Sequence, residues 1–385
     1  MRSTVRRRAG DRATTIEQLV AAKEIVVTCG SGGVGKTTTA AALGTMAAEA
    51  IGGRVLVLTV DPARRLANAM GLEAFGNAET LVEKTARGEL WAAMLDTKAS
   101  WDDLVRRHAP DARTRDAILA NPLYKNITGK FVQSHDYIAM ERLYELHASG
   151  SWDLIVVDTP PTRNALDFLE APERMADFFS SRLLRWLLVP YRSRLVNAAS
   201  RPFYQVADRI LGSAFLQDIA DFFILFQSMY DGFVARARSV ERVLGDRRST
   251  FVVVSTLEPA PVREAEFFVD ALAERRLHLG ALVLNKVLPD SLLDSGAAVA
   301  ARRLCEEPGA VAAALPPEVG PPAIVGPVLQ EVGQSFLNFS VVAAREAATR
   351  AELGVAPEVV ATVPYQDEDI VDLDGLRRLG AALWG

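Results

Sequence analysis

The apolar residues of this chain are gathered into short unbroken runs. EIVVT (24–28), RVLVLTV (54–60), DLIVVD (153–158), TFVVVS (250–255) and GALVLN (280–285) are rich in β-branched residues and lack a polar–apolar alternation. Runs of this length and kind are the pattern of strands buried on both faces. ELWAAML (89–95) is a weaker strand candidate. KTTTAAALGTMAAEA (36–50) reads as a helix by its alanine content, and Gly52 and Gly53 stop it. Continuous apolar strands alternating with helices predict an α/β fold, a doubly wound, mostly parallel sheet covered on both sides.

Other stretches depart from that rhythm. Residues 96–150 and 166–245 carry no strand signal and are expected to be helical insertions between strands. In the second, DIADFFILFQSMYDGFVARARSVERVL sets apolar residues at helical spacing among Asp, Gln and Arg. Residues 288–334 are rich in Pro, Gly and Ala (LPPEVGPPAIVGP) and read as a long irregular excursion. Residues 1–20 open with Arg2, Arg6, Arg7, Arg8 and Arg12 and are expected to be a disordered basic tail. No apolar core follows those arginines, so the segment does not read as a secretory signal. The remainder, 21–385, is expected to be a single domain.

The strand ends carry the candidate chemistry. Between the first run and the alanine-rich helix stands GSGGVGKTTT (30–39), in which Gly30, Gly35, Lys36 and Thr37 fit G-x-x-x-x-G-K-[ST]. Glycines let the backbone curl so that its N–H groups converge on phosphates, and the helix that follows points its positive end at them. The loop therefore assigns Gly30, Ser31, Gly32, Gly33, Val34, Gly35, Lys36, Thr37 and Thr38 to nucleotide binding. Lys36 reaches the β and γ phosphates as a catalytic cation, and the Thr37 hydroxyl binds Mg²⁺. VVDTPPT (156–162) ends an apolar strand in Asp158, a second Mg²⁺ ligand or, alternatively, a helix cap. TVDPARRL (59–66) does the same with Asp61, placed to orient a water in line with the γ phosphate or, again, to cap a helix. LVLNK (282–286) offers Asn285, whose amide can pair with an adenine edge. ATP and Mg²⁺ are the cofactors implied, and an ATPase is the activity.

Composition narrows the partners. The 385 residues carry a net charge of −5, so nucleic acid is not an expected partner. Cys29 and Cys305 are far apart and form no C-x-x-C pair, so neither zinc nor a disulfide framework is expected. No run of 18 apolar residues occurs, and FFSSRLLRWLLVPYRSRLV (178–196) is too charged to span a bilayer. A cytoplasmic location follows as an expectation.

The ordered set GSGGVGKTTT, VDPARRLANAMG, VVDTPPTRNALDFL and LVLNKVLP resembles the ArsA/Get group of ATPases, the arsenite-pump ATPases and those that target tail-anchored membrane proteins. The resemblance covers most of 22–287 and resumes in VPYQDEDIVDLDGLRRLGAALW (363–384); bacterial, especially actinobacterial, members are the nearest in character. It implies an ATPase working as a dimer with two nucleotides at the interface. It makes Asp61 the water-orienting switch residue, lets Asp158 begin the second switch, and gives adenine to Asn285 and the backbone around Val363, Pro364 and Tyr365. In the targeting branch the helical insertions form an apolar groove for a transmembrane helix, so an apolar helix or membrane protein is a possible cargo. FFILF (222–226) with Met229, Tyr230 and Phe233 could line such a groove or could be ordinary core.

The departures are specific. The group's loop begins G-K-G-G-V-G-K-[ST], and its first lysine reaches across the dimer to the partner's ATP; here that position is Ser31. Pro161 and Asn164 stand where Ala and His are commoner, and the clustered cysteines of an arsenite sensor are absent. Three readings of Ser31 follow: an unlike ATPase subunit supplies the lysine, another cation such as Arg64 or Arg65 replaces it, or the chain hydrolyses ATP weakly. The first, a heterodimer, is preferred because the rest of the site is intact. A partition-type ATPase is a further alternative.

Overall fold

The computed structural model of the chain describes residues 13–60, 65–72, 76–125, 132–160, 219, 222–225, 229–354 and 357–384. Its centre is one eight-stranded sheet: β1 (Ile25–Cys29), β2 (Gly53–Thr59), β3 (Thr80–Lys84), β4 (Gly88–Met94), β5 (Leu154–Asp158), β6 (Ser249–Ser255), β7 (Leu279–Val287) and β8 (Val359–Pro364). The spatial order is β3-β4-β2-β5-β1-β6-β7-β8. Each neighbouring pair is parallel except β3 with β4 at one edge. The doubly wound, mostly parallel α/β sheet expected from the apolar runs is the fold found.

Alternation along the strands explains why those runs are unbroken. Ile25, Val27 and Cys29 of β1 join one buried cluster, and Val26 joins the other. A strand with both faces in a core admits a polar side chain only where it is hydrogen-bonded, as Thr28 is in donating to the Val157 carbonyl at 3.1 Å. The first cluster lies under α4 (Thr97–His108), α5 (Ala112–Ala120), α6 (Val132–Ala148), α7 (Tyr230–Leu244) and α8 (Pro259–Glu274). The second takes in α1 (Ile16–Ala21), α2 (Lys36–Met46), α3 (Arg65–Ala69) and α12 (Leu373–Trp384). Helix α2 passes into a π-helical turn at Ala47–Ile51 before Gly52 and Gly53, both at positive φ, start β2.

Two expectations need correction. The basic tail is not disordered throughout 1–20: Thr15 caps α1, whose Ile16, Leu19 and Val20 are buried in the core. Residues 288–334 are not irregular. They form α9 (Ser295–Glu306), α10 (Pro308–Ala313) and the first part of α11 (Pro322–Glu352), a 31-residue helix. Proline fits at the first turns of α10 and α11, where no intrahelical N–H bond is lost. The region 96–150 is helical where described. Of 166–245, most lies outside the described residues; Phe222, Phe223 and Met229 are buried in the first core cluster.

Candidate functional site

The phosphate loop leaves the carboxyl end of β1 at the middle of the sheet, where doubly wound folds bind ligands. Gly30 turns at φ +152, and a Cβ there would stand 2.1 Å from the Val254 carbonyl oxygen on β6. Only glycine lets the loop start so close to the neighbouring strand. At Gly32 and Gly33 an added Cβ would meet nothing within 4 Å, so the loop is uncrowded at these two positions. Gly35 then caps α2, and the helix points its N-terminus into the same space.

Lys36 is buried and its Nζ donates to the Ser31 carbonyl at 2.8 Å. Asp158 is fully buried at the end of β5, paired in register with Thr28 on one side and Thr59 on the other. Its Oδ2 accepts from Thr37 Oγ1 at 2.8 Å and from Thr59 Oγ1 at 2.9 Å. Thr159 ties the next residue back to β1, donating through both N and Oγ1 to the Thr28 carbonyl. A buried lysine, a buried carboxylate and two hydroxyls, Thr37 in the first turn of α2 and Thr59 at the end of β2, form the donor set that Mg²⁺ and phosphate oxygens require. The residues present therefore fit Mg-ATP. Cys29, just before the loop, is inert by burial, which pushes its thiol well above the usual range although Lys36 opposes the shift.

A cavity of about 500 Å³ opens beside this array. It brings together Lys36, Thr37 and Thr38 from α2, Arg65 and Asn68 from α3, Asn285 and Lys286 from β7, Pro364 at the end of β8, and Tyr365 just after it. Several site residues expected from the sequence thus meet in one space. Val363 is apart from it, buried in the second core cluster. Ser31 is 7% exposed, and its Oγ has no hydrogen-bond partner among the described residues. Asn285 donates from Nδ2 to the Val34 carbonyl at 2.8 Å, so in this structure its amide braces the phosphate loop. Asp61, Arg64, Pro161 and Asn164 lie outside the described residues. Val60, immediately before Asp61, is anchored by its N–H to the Asp158 carbonyl at 3.0 Å. Thr59 and Lys286 were not singled out by sequence, because each looks like an ordinary strand residue until its neighbour across the sheet is known.

The sequence profile of the anion-transporting ATPase family matches residues 23–308. The chain belongs to that family. An uncharacterized protein of Streptomyces coelicolor is 32% identical over 277 residues, covering 68% of this chain and 62% of its own length. An ATPase ASNA1 homolog of Cryptosporidium parvum is 27% identical over 268 residues, 69% of this chain and 66% of its own. A putative arsenical pump-driving ATPase 2 of Aquifex aeolicus is 24% identical over 275 residues, 69% and 80%. The matched part thus spans less than two thirds of the first two relatives.

Proposed function

We propose that this chain is a cytoplasmic Mg-ATP-dependent ATPase subunit, a single ATPase domain over 21–385, that couples hydrolysis to the conformational change of a dimer. The observation that carries the reading is the Asp158 carboxylate held between the Thr37 and Thr59 hydroxyls beside buried Lys36. Thr37 and Asp158 would hold the metal, and Lys36, freed from the Ser31 carbonyl, the phosphates. A metal ion held there would supply neutralisation of the phosphate charge. Asp61, tethered through Val60 to the end of β5, is assigned to hold the attacking water. Asn285, Pro364 and Tyr365 would face the base.

Ser31 decides the partner. Phosphoryl transfer gathers negative charge, and a cation supplied in trans accelerates it by about 10³–10⁵. A serine has none to give. We assign the missing lysine to an unlike, homologous subunit, which would serve this chain's ATP while its own site went without. An apolar-helix cargo draws no support from Phe222, Phe223 and Met229, which are buried, although Ile224 beside them is exposed.

The test is to purify the chain alone and with candidate homologous subunits, and to measure ATPase rate and mass in solution. The expected result is slow hydrolysis alone and fast hydrolysis in a two-chain complex. A stable homodimer with full activity would remove the unlike partner. No Mg-ATP hydrolysis in either form would remove the ATPase reading.

A further inference from the structure

Successive side chains of a strand point to opposite faces of its sheet. Asn285 and Lys286, at the end of β7, both reach the phosphate loop instead. Asn285 Nδ2 donates to the Val34 carbonyl at 2.8 Å, and Lys286 Nζ donates to the Gly33 carbonyl at 3.2 Å. Two consecutive side chains thus hold two consecutive carbonyls of the loop.

The backbone shows how this is achieved. Pairing of β7 with β8 slips between Leu284, which faces Thr362, and Val287, which faces Pro364. Two residues, Asn285 and Lys286, therefore oppose Val363 alone. Such a bulge bends the strand and re-aims side chains, and it is rare between parallel strands. Lys286 also sits at φ +59. That left-handed conformation is unfavourable for lysine and persists only where the surroundings impose it. The loop is shaped to match: at Gly35 a Cβ would stand 2.2 Å from Asn285 Nδ2.

We propose that Lys286 is a positioning residue for the phosphates of a bound nucleoside triphosphate. It fixes the loop tip at Gly33 from the strand that also presents Asn285 to the cavity. Its exposed ammonium group lines the cavity with Lys36, Thr37 and Tyr365. An ammonium has three donors, and the Gly33 carbonyl takes one. The cavity it lines with Lys36 and Thr37 is where a phosphate oxygen would take another. This role acts on binding of the ground state and is separate from the cation missing at Ser31. It rests on the ATPase reading above.

Lys286→Gly and Lys286→Asn test it, since both residues tolerate the left-handed backbone while removing the charge. Mg-ATP affinity is measured by calorimetry, steady-state kinetics by phosphate release in the fully assembled enzyme, and melting temperature without nucleotide. The expected result is a Kd and KM for Mg-ATP raised roughly tenfold or more, the scale of a lost charged hydrogen bond. The value of kcat at saturation should stay unchanged, and the melting temperature unchanged or higher. Lys286→Arg should recover part of the affinity. Variants that bind Mg-ATP as tightly as the wild type would overturn the role of Lys286 alone. A fall in kcat with KM unchanged would overturn it too, placing the residue in the chemical step. If the wild type itself binds no Mg-ATP, this role and the ATPase reading fall together.

Discussion

At the scale of single residues, the site depends on groups that are small in the right places. Gly35 stands at φ +97 with Asn285 Nδ2 where its Cβ would be. Gly35→Ala should cost about 1–2 kcal/mol for the left-handed alanine alone, and more for the displaced Asn285–Val34 bond. The two effects are coupled, so Gly35→Ala with Asn285→Ala should be less destabilised than the sum of the single changes, by on the order of 0.5–3 kcal/mol. Denaturant unfolding of the four proteins measures this, and strict additivity would show that the clash is relieved elsewhere. The phosphate loop is readable from sequence because its spacing is local: Gly30, Gly35, Lys36 and Thr37 fall within eight consecutive positions. Thr59 and Lys286 were not, because their partners lie 99 and 253 residues away along the chain. A hydroxyl in a run such as RVLVLTV carries no mark of the carboxylate it will meet.

Elements repeat that lesson. The parallel strands were legible because burial on both faces leaves an unbroken apolar run, whereas edge strand β3, TLVEK, has its side chains exposed or half-buried and leaves no such trace. Helix α11 was misread for a different reason. Its Gly326 and Gly333 suggest turns in the sequence, yet both are buried packing positions. A Cβ at Gly333 would stand 2.6 Å from the Ala301 carbonyl oxygen of α9, so the glycine is there to let two helices approach closely. Helices α6 and α7 are joined differently, by the ion pair of Glu141 with Arg236, with Tyr137 Oη donating to Glu141 Oε2 at 3.0 Å. Burial raises the Glu141 carboxyl above its usual 4.5, opposed by Arg236 and Tyr137. A carboxyl with a raised folded pKa binds its proton more tightly in the native state, so its contribution is most favourable below about 4.5 and is lost as pH rises through the folded value. Arg236→Leu removes an opposing influence, pushes that value further up and leaves a buried charge. The expected cost is on the order of 3–5 kcal/mol near neutral pH, shrinking in acid as Glu141 takes up its proton. Urea unfolding of wild type and variant at two pH values checks this; an equal loss at both would show that Glu141 does not carry the effect.

For the whole molecule, the proposal to test is that an unlike subunit supplies a cation that Ser31 does not. Lys36, Thr37, Asp158 and Thr59 are joined through a fully buried carboxylate, and no substitution at Ser31 disturbs those bonds directly, since only its backbone carbonyl takes part. A change at Ser31 therefore leaves the Lys36, Thr37, Asp158 and Thr59 contacts without a lost side-chain partner. In a pair of unlike subunits, this chain's serine leaves the partner's ATP without its trans lysine. Ser31→Lys should switch that silent site on, so a complex with one working nucleotide site would gain a second and its rate would rise by up to about twofold if the sites act independently. The same variant alone, if concentrated enough to pair with itself, should gain far more, toward the 10³–10⁵ that a trans cation supplies. Ser31 is itself buried, so the melting temperature of the variant is measured beside its rates. Single-turnover hydrolysis of the variant, alone and in the complex, separates the two gains. If Ser31→Lys raises neither rate, the cation is supplied from within the chain, and Arg65, which lines the same cavity as Lys36, becomes the residue to change next.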